Sequence, residues 1–195
     1  MSMKINIGGL QRFSLSDYPC KIAAIIFLRG CNFRCPYCHN ADLWNTTLQS
    51  MPLNTVFEFL KSRRKQLNGV VITGGEPTCY TDLLLFLKEI KIMGYSIKLN
   101  TNGSNPSQLQ KIIQQNLLDY IAMDIKGPLE KYNKVCMRNI NILAIQKSIK
   151  LIAKSGISHE FRTTYDPKLL SKEDLQKIEK TLIPCNSRYY INDRH

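Results

Sequence analysis

Lys21-Ile-Ala-Ala-Ile-Ile-Phe-Leu28, followed at once by Arg29-Gly-Cys-Asn-Phe-Arg-Cys-Pro-Tyr-Cys-His-Asn40, decides how the rest of the chain is read. The first stretch is apolar from Ile22 onward, without the alternation of a half-exposed strand, so it reads as a strand buried on both faces. Such strands belong to parallel sheets covered by helices. Working outward, short runs of the same kind recur at Val70–Thr73, Ser96–Asn100, Tyr120–Asp124, His159–Thr164 and Ser187–Ile191. Amphipathic stretches fill the gaps and predict helices over Leu53–Gln66, Asp82–Met93, Ser107–Leu117, Ile140–Ser155 and Lys172–Leu182. Gly94 and Gly156 stand where helices stop, and Ser171 stands as an N-cap ahead of Asp174. Strand and helix alternate through six units, which predicts an α/β fold with a barrel-like sheet. Ile5-Asn-Ile-Gly-Gly9 is expected to add a short strand before the first unit.

At 195 residues and 44% hydrophobic content, the chain is long enough for one sizeable core and is read as one domain, 1–195. No run approaches the roughly 18 apolar residues of a membrane span, and Met1–Leu10 has neither the charged start nor the apolar run of a signal peptide, so a cytoplasmic protein is expected. The formal charge of +12 admits nucleic acid, an acidic protein partner or a solvated basic surface. The densest run, Lys61-Ser-Arg-Arg-Lys65, closes a predicted helix, where cations suit the helix dipole and face water. Nucleic acid and membrane are therefore not the partners expected.

Seven cysteines, three of them within eight residues at Cys31, Cys35 and Cys38, make a poor disulfide framework and an ordinary metal site. In parallel barrels the loops after the strands carry the chemistry, and this loop follows the first strand. Three converging thiolates suit an iron–sulfur cluster, and a cubane of four irons held by three cysteines leaves one iron open to a small chelating molecule. Structural zinc with His39 as fourth ligand is the competing reading, weakened because adjacent Cys38 and His39 strain a closed tetrahedron. After the second strand, Thr73-Gly-Gly-Glu-Pro77 reads either as a plain turn or as a loop whose Gly74 and Gly75 let backbone approach a ligand and whose Glu76 offers a carboxylate to an ammonium group. Asp124 and Lys126 share one side of a strand, as an acid–base pair lining a pocket or as a strand-end salt bridge. Cys20, Cys79, Cys136 and Cys185 are too isolated for a second cluster and are read as packing residues, while Trp44, Tyr80 and Tyr132 read as core, pocket wall or partner contact, with core first among the three.

Together the motifs resemble the radical S-adenosylmethionine (SAM) superfamily. Its Cys-x3-Cys-x-aromatic-Cys signature corresponds to Cys31, Cys35, Tyr37 and Cys38, and the Gly74-Gly75-Glu76-Pro77 loop follows. More closely, Gly8-Gly-Leu-Gln-Arg-Phe-Ser-Leu-Ser-Asp-Tyr-Pro19 and Phe27–Asn40 are similar to the activating proteins of anaerobic ribonucleoside-triphosphate reductase, akin to pyruvate formate-lyase activating enzyme. Cys20 stands where that family commonly has Gly.

The resemblance implies a partial (β/α)6 TIM-like barrel, a 4Fe–4S cluster on Cys31, Cys35 and Cys38, and a SAM site. That site would be formed by Tyr37, Gly74, Gly75, Glu76, Pro77, Asn100 with the rest of Asn100-Thr-Asn-Gly103, Asp124, Lys126 and Arg162. The position of Asn100 is often Asp in related activating enzymes, where it helps bind a monovalent cation. The resemblance also implies reductive cleavage of SAM to a 5′-deoxyadenosyl radical that abstracts hydrogen from a glycine of a glycyl-radical enzyme, here anaerobic ribonucleoside-triphosphate reductase. The electron donor would be an acidic protein such as flavodoxin or ferredoxin, met by the basic surface. The absence of a sizeable insertion that could form a lid favours a protein substrate. Two rivals stay open: a small radical SAM enzyme such as 7-carboxy-7-deazaguanine synthase, and a zinc-stabilised nucleic-acid-binding module.

Overall fold

The computed structural model describes residues 3–193. Its strands are β1 (Ile7–Ser14), β2 (Ala23–Leu28), β3 (Gly69–Gly74), β4 (Ser96–Thr101), β5 (Tyr120–Asp124), β6 (Ser158–Tyr165) and β7 (Arg188–Asp193). Between them lie helices α1 (Leu53–Ser62), α2 (Leu83–Ile92), α3 (Pro106–Gln114), α4 (Tyr132–Cys136), α5 (Ile142–Ala153) and α6 (Lys172–Leu182). The seven strands form one sheet ordered as in the sequence, with β2 to β7 all parallel. The six parallel strands and their helical crossovers make the expected α/β partial barrel. It is open because β1 and β7 are the two edges of the sheet. Among the described residues no helix is long and apolar enough to cross a membrane.

The first strand departs from expectation in length and partner. It runs to Ser14 and pairs antiparallel with β2, with Ile7 opposite Leu28, so it borders the first parallel unit instead of only preceding it. Helix boundaries follow local chemistry. Asn105 accepts the Gln108 N–H and Pro106 supplies the first helical φ, so α3 begins one residue before the predicted start. Ser171 and Asp174 form a reciprocal capping box that starts α6 where expected. Helix α1 stops early, at Ser62, as the Arg63 N–H is shared between the carbonyls of Phe59 and Leu60 and the last turn tightens. The basic run that follows is exposed, as a solvated helix end should be.

Period-2 alternation assigns each strand two jobs. One set of side chains, including Ala24, Ile26, Leu28, Val70, Ile72, Ile97, Leu99, Ile121 and Met123, packs under the helices against Leu60, Phe86, Ile90, Leu109, Ile112, Ile149 and Ile152. Burying each large apolar side chain here contributes about 1.5–3 kcal/mol. The other set faces the interior of the barrel. There Ala23, Ile25, Val71 and Tyr120 form a small cluster with Tyr18, whose ring centroid lies 6.0 Å from that of Tyr120.

Beyond that plug the interior is polar. Lys98 Nζ bonds Glu160 Oε1 at 3.1 Å, the Tyr120 hydroxyl donates to Glu160 Oε2 at 2.7 Å, and Arg162 lies 3.8 Å from Glu160. Lys98 and Glu160 are only 3% and 7% exposed, so their pairing offsets desolvation that neither could bear alone. Continuing by twos along the same strands leads from Val71 to Thr73, from Lys98 to Asn100, from Tyr120 to Asp124 and from Glu160 to Arg162 and Thr164. This inward face, read toward the C-terminal ends of the strands, is how the fold delivers polar groups to one place.

Candidate functional site

Those ends surround a cavity of about 210 Å³. The loop after β2 contributes Cys31, Cys35, Tyr37 and Cys38, and the loop after β3 contributes Gly74, Gly75 and Glu76. Asn100, Asp124, Lys126 and Arg162 complete the wall from β4, β5 and β6. Eleven of the twelve residues singled out from the sequence therefore meet in one cavity. The exception is Pro77, which starts the 3-10 turn Pro77–Cys79 and is buried behind the wall. The sequence reading missed Phe33, Asn40, Thr73 and Thr164 as site residues; Thr101 and Asn102 came with the Asn100–Gly103 stretch, His39 entered only as a zinc ligand, and Trp44 as core or pocket wall. Of these, Thr73 and Thr164 could have been found by counting in twos from the interior positions.

The cysteine loop is built by short-range bonds. The Cys38 N–H donates to the Cys35 carbonyl at 3.0 Å, closing a turn through Pro36 and Tyr37 that presents both thiols to the cavity. The Phe33 N–H points at Cys31 Sγ, 3.3 Å away. The Arg34 guanidinium donates to the carbonyls of Cys31 and Phe33 and stacks 5.3 Å from the ring of Trp44. Trp44 is thus pocket wall and not core. Burial pushes the Cys31 thiol up to about 11, with the Phe33 N–H opposing. Cys35 is pulled down to about 7 by a hydrogen bond with Cys136, against its own burial and with help from Lys126.

Gly74 and Gly75 play a part different from the one expected. The Gly75 N–H donates to the Leu28 carbonyl at 2.9 Å and the Glu76 N–H to the Gly30 carbonyl at 2.8 Å, so this loop lies flat against the backbone leading into the cysteine loop. A Cβ on Gly74 would stand 2.2 Å from Leu28 O, and one on Gly75 1.9 Å from Gly30 O. The glycines thus permit backbone to dock on backbone, and Gly74 also needs its φ of 121°.

Glu76 is likewise committed to the protein. Its Oε1 accepts the Thr78 N–H (3.0 Å), the Thr78 hydroxyl (2.5 Å) and the Thr101 hydroxyl (2.7 Å), while Oε2 accepts the Asn102 N–H at 2.6 Å. Burial nevertheless holds its carboxyl above the usual range, those four donors opposing. Its first role is to brace β3 against β4, not to wait as a free carboxylate for an ammonium group.

On the opposite wall Asp124 bonds Lys126 Nζ at 3.1 Å and is gripped by Arg162 through Nε at 3.1 Å and Nη2 at 3.0 Å. Burial alone would raise Asp124, but the two cations outweigh it and hold the carboxyl below its ordinary range. Burial alone would lower Lys126, but Asp124, Tyr37 and Cys35 together outweigh it and raise the ammonium well above its ordinary range. Lys126 Nζ also lies 6.0 Å over the Tyr37 ring, which joins this ion pair to the cysteine loop. Asn100 donates its amide to Thr73 Oγ1 at 3.2 Å, while its Oδ1 is buried without a partner on the cavity wall. An orphaned buried acceptor there costs about 1–3 kcal/mol, a cost relieved by a ligand with a donor at that point.

The other cysteines divide. Cys136 is fully buried, but Cys20, Cys79 and Cys185 are exposed and are not packing residues. Cys20 has a φ of 59°, a backbone conformation that favours glycine. Tyr132 is fully buried, as expected, and its hydroxyl accepts the Lys126 N–H at 3.2 Å.

Known proteins share both the fold and the sequence pattern. The family model described as the Radical SAM superfamily matches residues 25–182. A Methanocaldococcus jannaschii protein, provisionally named a glycyl-radical enzyme activating enzyme, is 35% identical over 192 residues, covering 94% of this chain and 78% of its own. A 7-carboxy-7-deazaguanine synthase of Aquifex aeolicus is 32% identical over 156 residues, 80% of this chain and 64% of that one. In three dimensions the chain is similar to anSMEcpe with bound AdoMet (TM-score 0.65, 18% identity), covering 85% of this chain. It spans 49% of that longer chain, so what is shared there is the fold.

Proposed function

The chain belongs to the radical SAM superfamily, whose members use a 4Fe–4S cluster and SAM, and within it we propose that it is a glycyl-radical activating enzyme. The observation that carries this is the 35% identity to the M. jannaschii protein over nearly the whole chain and most of that relative. The open barrel is consistent with it. The cavity stands at the end of a sheet whose edge strands β1 and β7 stay apart, leaving room for a loop of another protein to enter. The target offered by the sequence resemblance is anaerobic ribonucleoside-triphosphate reductase.

The residues present fit the cofactors. Three thiols lie around a cavity, while among the described residues no three His, Cys, Asp or Glu side chains converge as a single ion would need. That spread suits a polynuclear cluster better than tetrahedral zinc. The buried, unpaired Asn100 Oδ1 supplies an acceptor for a ligand of the size and polarity of SAM. When bound, the cluster and SAM supply one-electron cleavage of the sulfonium and a radical able to abstract hydrogen.

The protein's own tasks are holding, orienting and excluding water. Cys31, Cys35 and Cys38 would hold the cluster, as thiolates. Gly74 and Gly75 keep the SAM wall pressed to the cluster loop, and Glu76 fixes the distance between β3 and β4. The Lys126–Asp124–Arg162 chain holds its polar atoms in place so that few need reorganise in the reaction. Tyr37 screens the cluster loop with a ring only 4% exposed. The basic surface, with a formal charge of +12, receives an acidic electron donor such as flavodoxin or ferredoxin.

The second reading, 7-carboxy-7-deazaguanine synthase, is favoured by the Aquifex similarity. One experiment separates the two. Anaerobically reconstituted protein is reduced with SAM in the presence of a glycyl-radical reductase, and in a parallel sample with the pterin substrate of the synthase. A glycyl radical signal by electron paramagnetic resonance on the reductase supports the proposal. Turnover of the pterin without such a signal replaces it.

A further inference from the structure

Arg162 is held from two levels of the barrel. On the cavity wall its Nε and Nη2 grip Asp124 Oδ1 at 3.1 and 3.0 Å, and Asp124 stands opposite it in the register of β5 and β6. Its remaining nitrogen, Nη1, stands 3.8 Å from Glu160 Oε1. Glu160 lies two residues earlier on β6, on the same inward face and one layer deeper. That carboxylate cannot swing, because Oε1 also takes Lys98 Nζ at 3.1 Å and Oε2 takes the Tyr120 hydroxyl at 2.7 Å. Asp124 and Arg162 line the cavity, whereas Lys98, Tyr120 and Glu160 do not. Glu160 is therefore placed to act on the cavity through Arg162 and not by touching what fills it.

A carboxylate on one edge of a guanidinium leaves the group free to pivot about that edge, and a second carboxylate at another nitrogen fixes its plane. Arg162 has five N–H donors, of which Asp124 engages two, so donors remain for the cavity that its side chain lines. We infer that Glu160 is a positioning residue that holds the Arg162 guanidinium from beneath and keeps its free donors directed to the SAM site. This rests on the reading of Arg162 as a SAM-site residue, and is independent of which protein receives the radical. The competing reading is that Glu160 only neutralises Lys98, which is 3% exposed. The two readings differ in what removing Lys98 as well would do: it cures an orphaned buried lysine, but it does not restore the second hold on Arg162.

The experiment is equilibrium binding of SAM to anaerobically reconstituted protein, with iron per chain measured on every sample. The proteins are the wild type, Glu160→Gln, Lys98→Met/Glu160→Gln, Arg162→Lys and Glu160→Gln/Arg162→Lys. Glu160→Gln is expected to weaken SAM binding about fivefold, and Lys98→Met/Glu160→Gln to stay equally weak. Arg162→Lys should weaken binding by itself, and adding Glu160→Gln to it should change affinity by less than about twofold, because the group being positioned is gone. Wild-type affinity in Glu160→Gln overturns the inference. So does affinity restored in Lys98→Met/Glu160→Gln, or a full further fall in the Arg162→Lys background. Wild-type affinity in Arg162→Lys refutes the SAM-site reading of Arg162 and the inference with it, whereas a loss there without one in Glu160→Gln refutes the inference alone. If Glu160→Gln does not fold or load iron, Lys98→Met/Glu160→Gln decides in its place. If both fail to do so, the inference falls in favour of a structural role.

Discussion

The Thr101 hydroxyl reaches Glu76 Oε1 at 2.7 Å, locking the end of β4 to the loop after β3. With the Thr78 and Asn102 N–H groups on opposite oxygens, the carboxylate is the joint between two cavity walls. Glu76→Gln is expected to cost about 2 kcal/mol, since either orientation of the amide sets its NH2 against a buried backbone N–H. Melting of the cluster-free protein should fall by about 4–8 °C. Thr101→Val removes that donor and also the acceptor of the buried Gly103 N–H, and should cost about 2 kcal/mol. An unchanged melting temperature in Glu76→Gln refutes the brace.

If Cys31, Cys35 and Cys38 hold the cluster as proposed, replacing any one with Ala should abolish it, since the loop has no spare thiol on the cavity wall. Cys20→Ser and Cys185→Ser, at exposed positions, should retain it. Iron and acid-labile sulfide per chain after anaerobic reconstitution read this directly, with about four irons expected in the retained cases.

Asn100 contributes an acceptor that the protein itself leaves empty-handed. Asn100→Leu should therefore weaken SAM binding by about tenfold, or 1.4 kcal/mol, while leaving the fold as stable as before or slightly more so. Equilibrium binding of SAM to reconstituted protein, beside a melting curve of the same sample, separates the two effects. Undiminished affinity would show that Oδ1 meets no ligand donor.

Much of this was legible because parallel sheets advertise themselves. The unbroken apolar run of β2 and the spacing of β3, β4 and β5 left little choice of fold, and the Ser171 capping box starts α6 at the predicted residue. The barrel interior was not legible. Lys98, Tyr120 and Glu160 look like ordinary surface positions in a strand until the curvature of the open sheet turns that face inward and makes them one another's partners. Helix α4 was hidden for another reason, since five residues are too few to show a 3.6-residue period. At the site, residue identity was enough to find Cys31 and Glu76, while Asn100 came only through the family resemblance. What it did not reveal was the direction of each carboxylate and carbonyl, which is set by donors 25 to 40 residues away such as Thr101 and Arg162.

Cys20 shows the limit from the other side. Its sequence position, where related proteins commonly carry Gly, had no chemical reading, yet its φ of 59° explains the preference. Cys20→Gly is expected to stabilise the chain by about 0.5–1 kcal/mol, the strain relieved exceeding the entropy glycine adds to the unfolded state. Denaturant unfolding of the cluster-free protein measures it, and a loss of stability would mean that the left-handed turn is not strained.

The Lys126–Asp124–Arg162 chain also sets how the fold responds to acid. Burial raises the Asp124 carboxyl, but Lys126 and Arg162 pull it below the ordinary Asp value of 3.8. The folded chain therefore holds this proton less tightly than the unfolded chain does. The stabilisation it brings is fully present above about pH 4 and is lost as pH falls through the depressed folded-state value. Asp124→Asn should remove that acid-side dependence. At neutral pH it should also cost about 3 kcal/mol, because Lys126 and Arg162 are left as neighbouring cations without their shared partner. Unfolding free energies of both proteins from pH 2.5 to 7 provide the check. Parallel curves would assign the acid sensitivity to other carboxylates, and converging curves at low pH would assign it to Asp124.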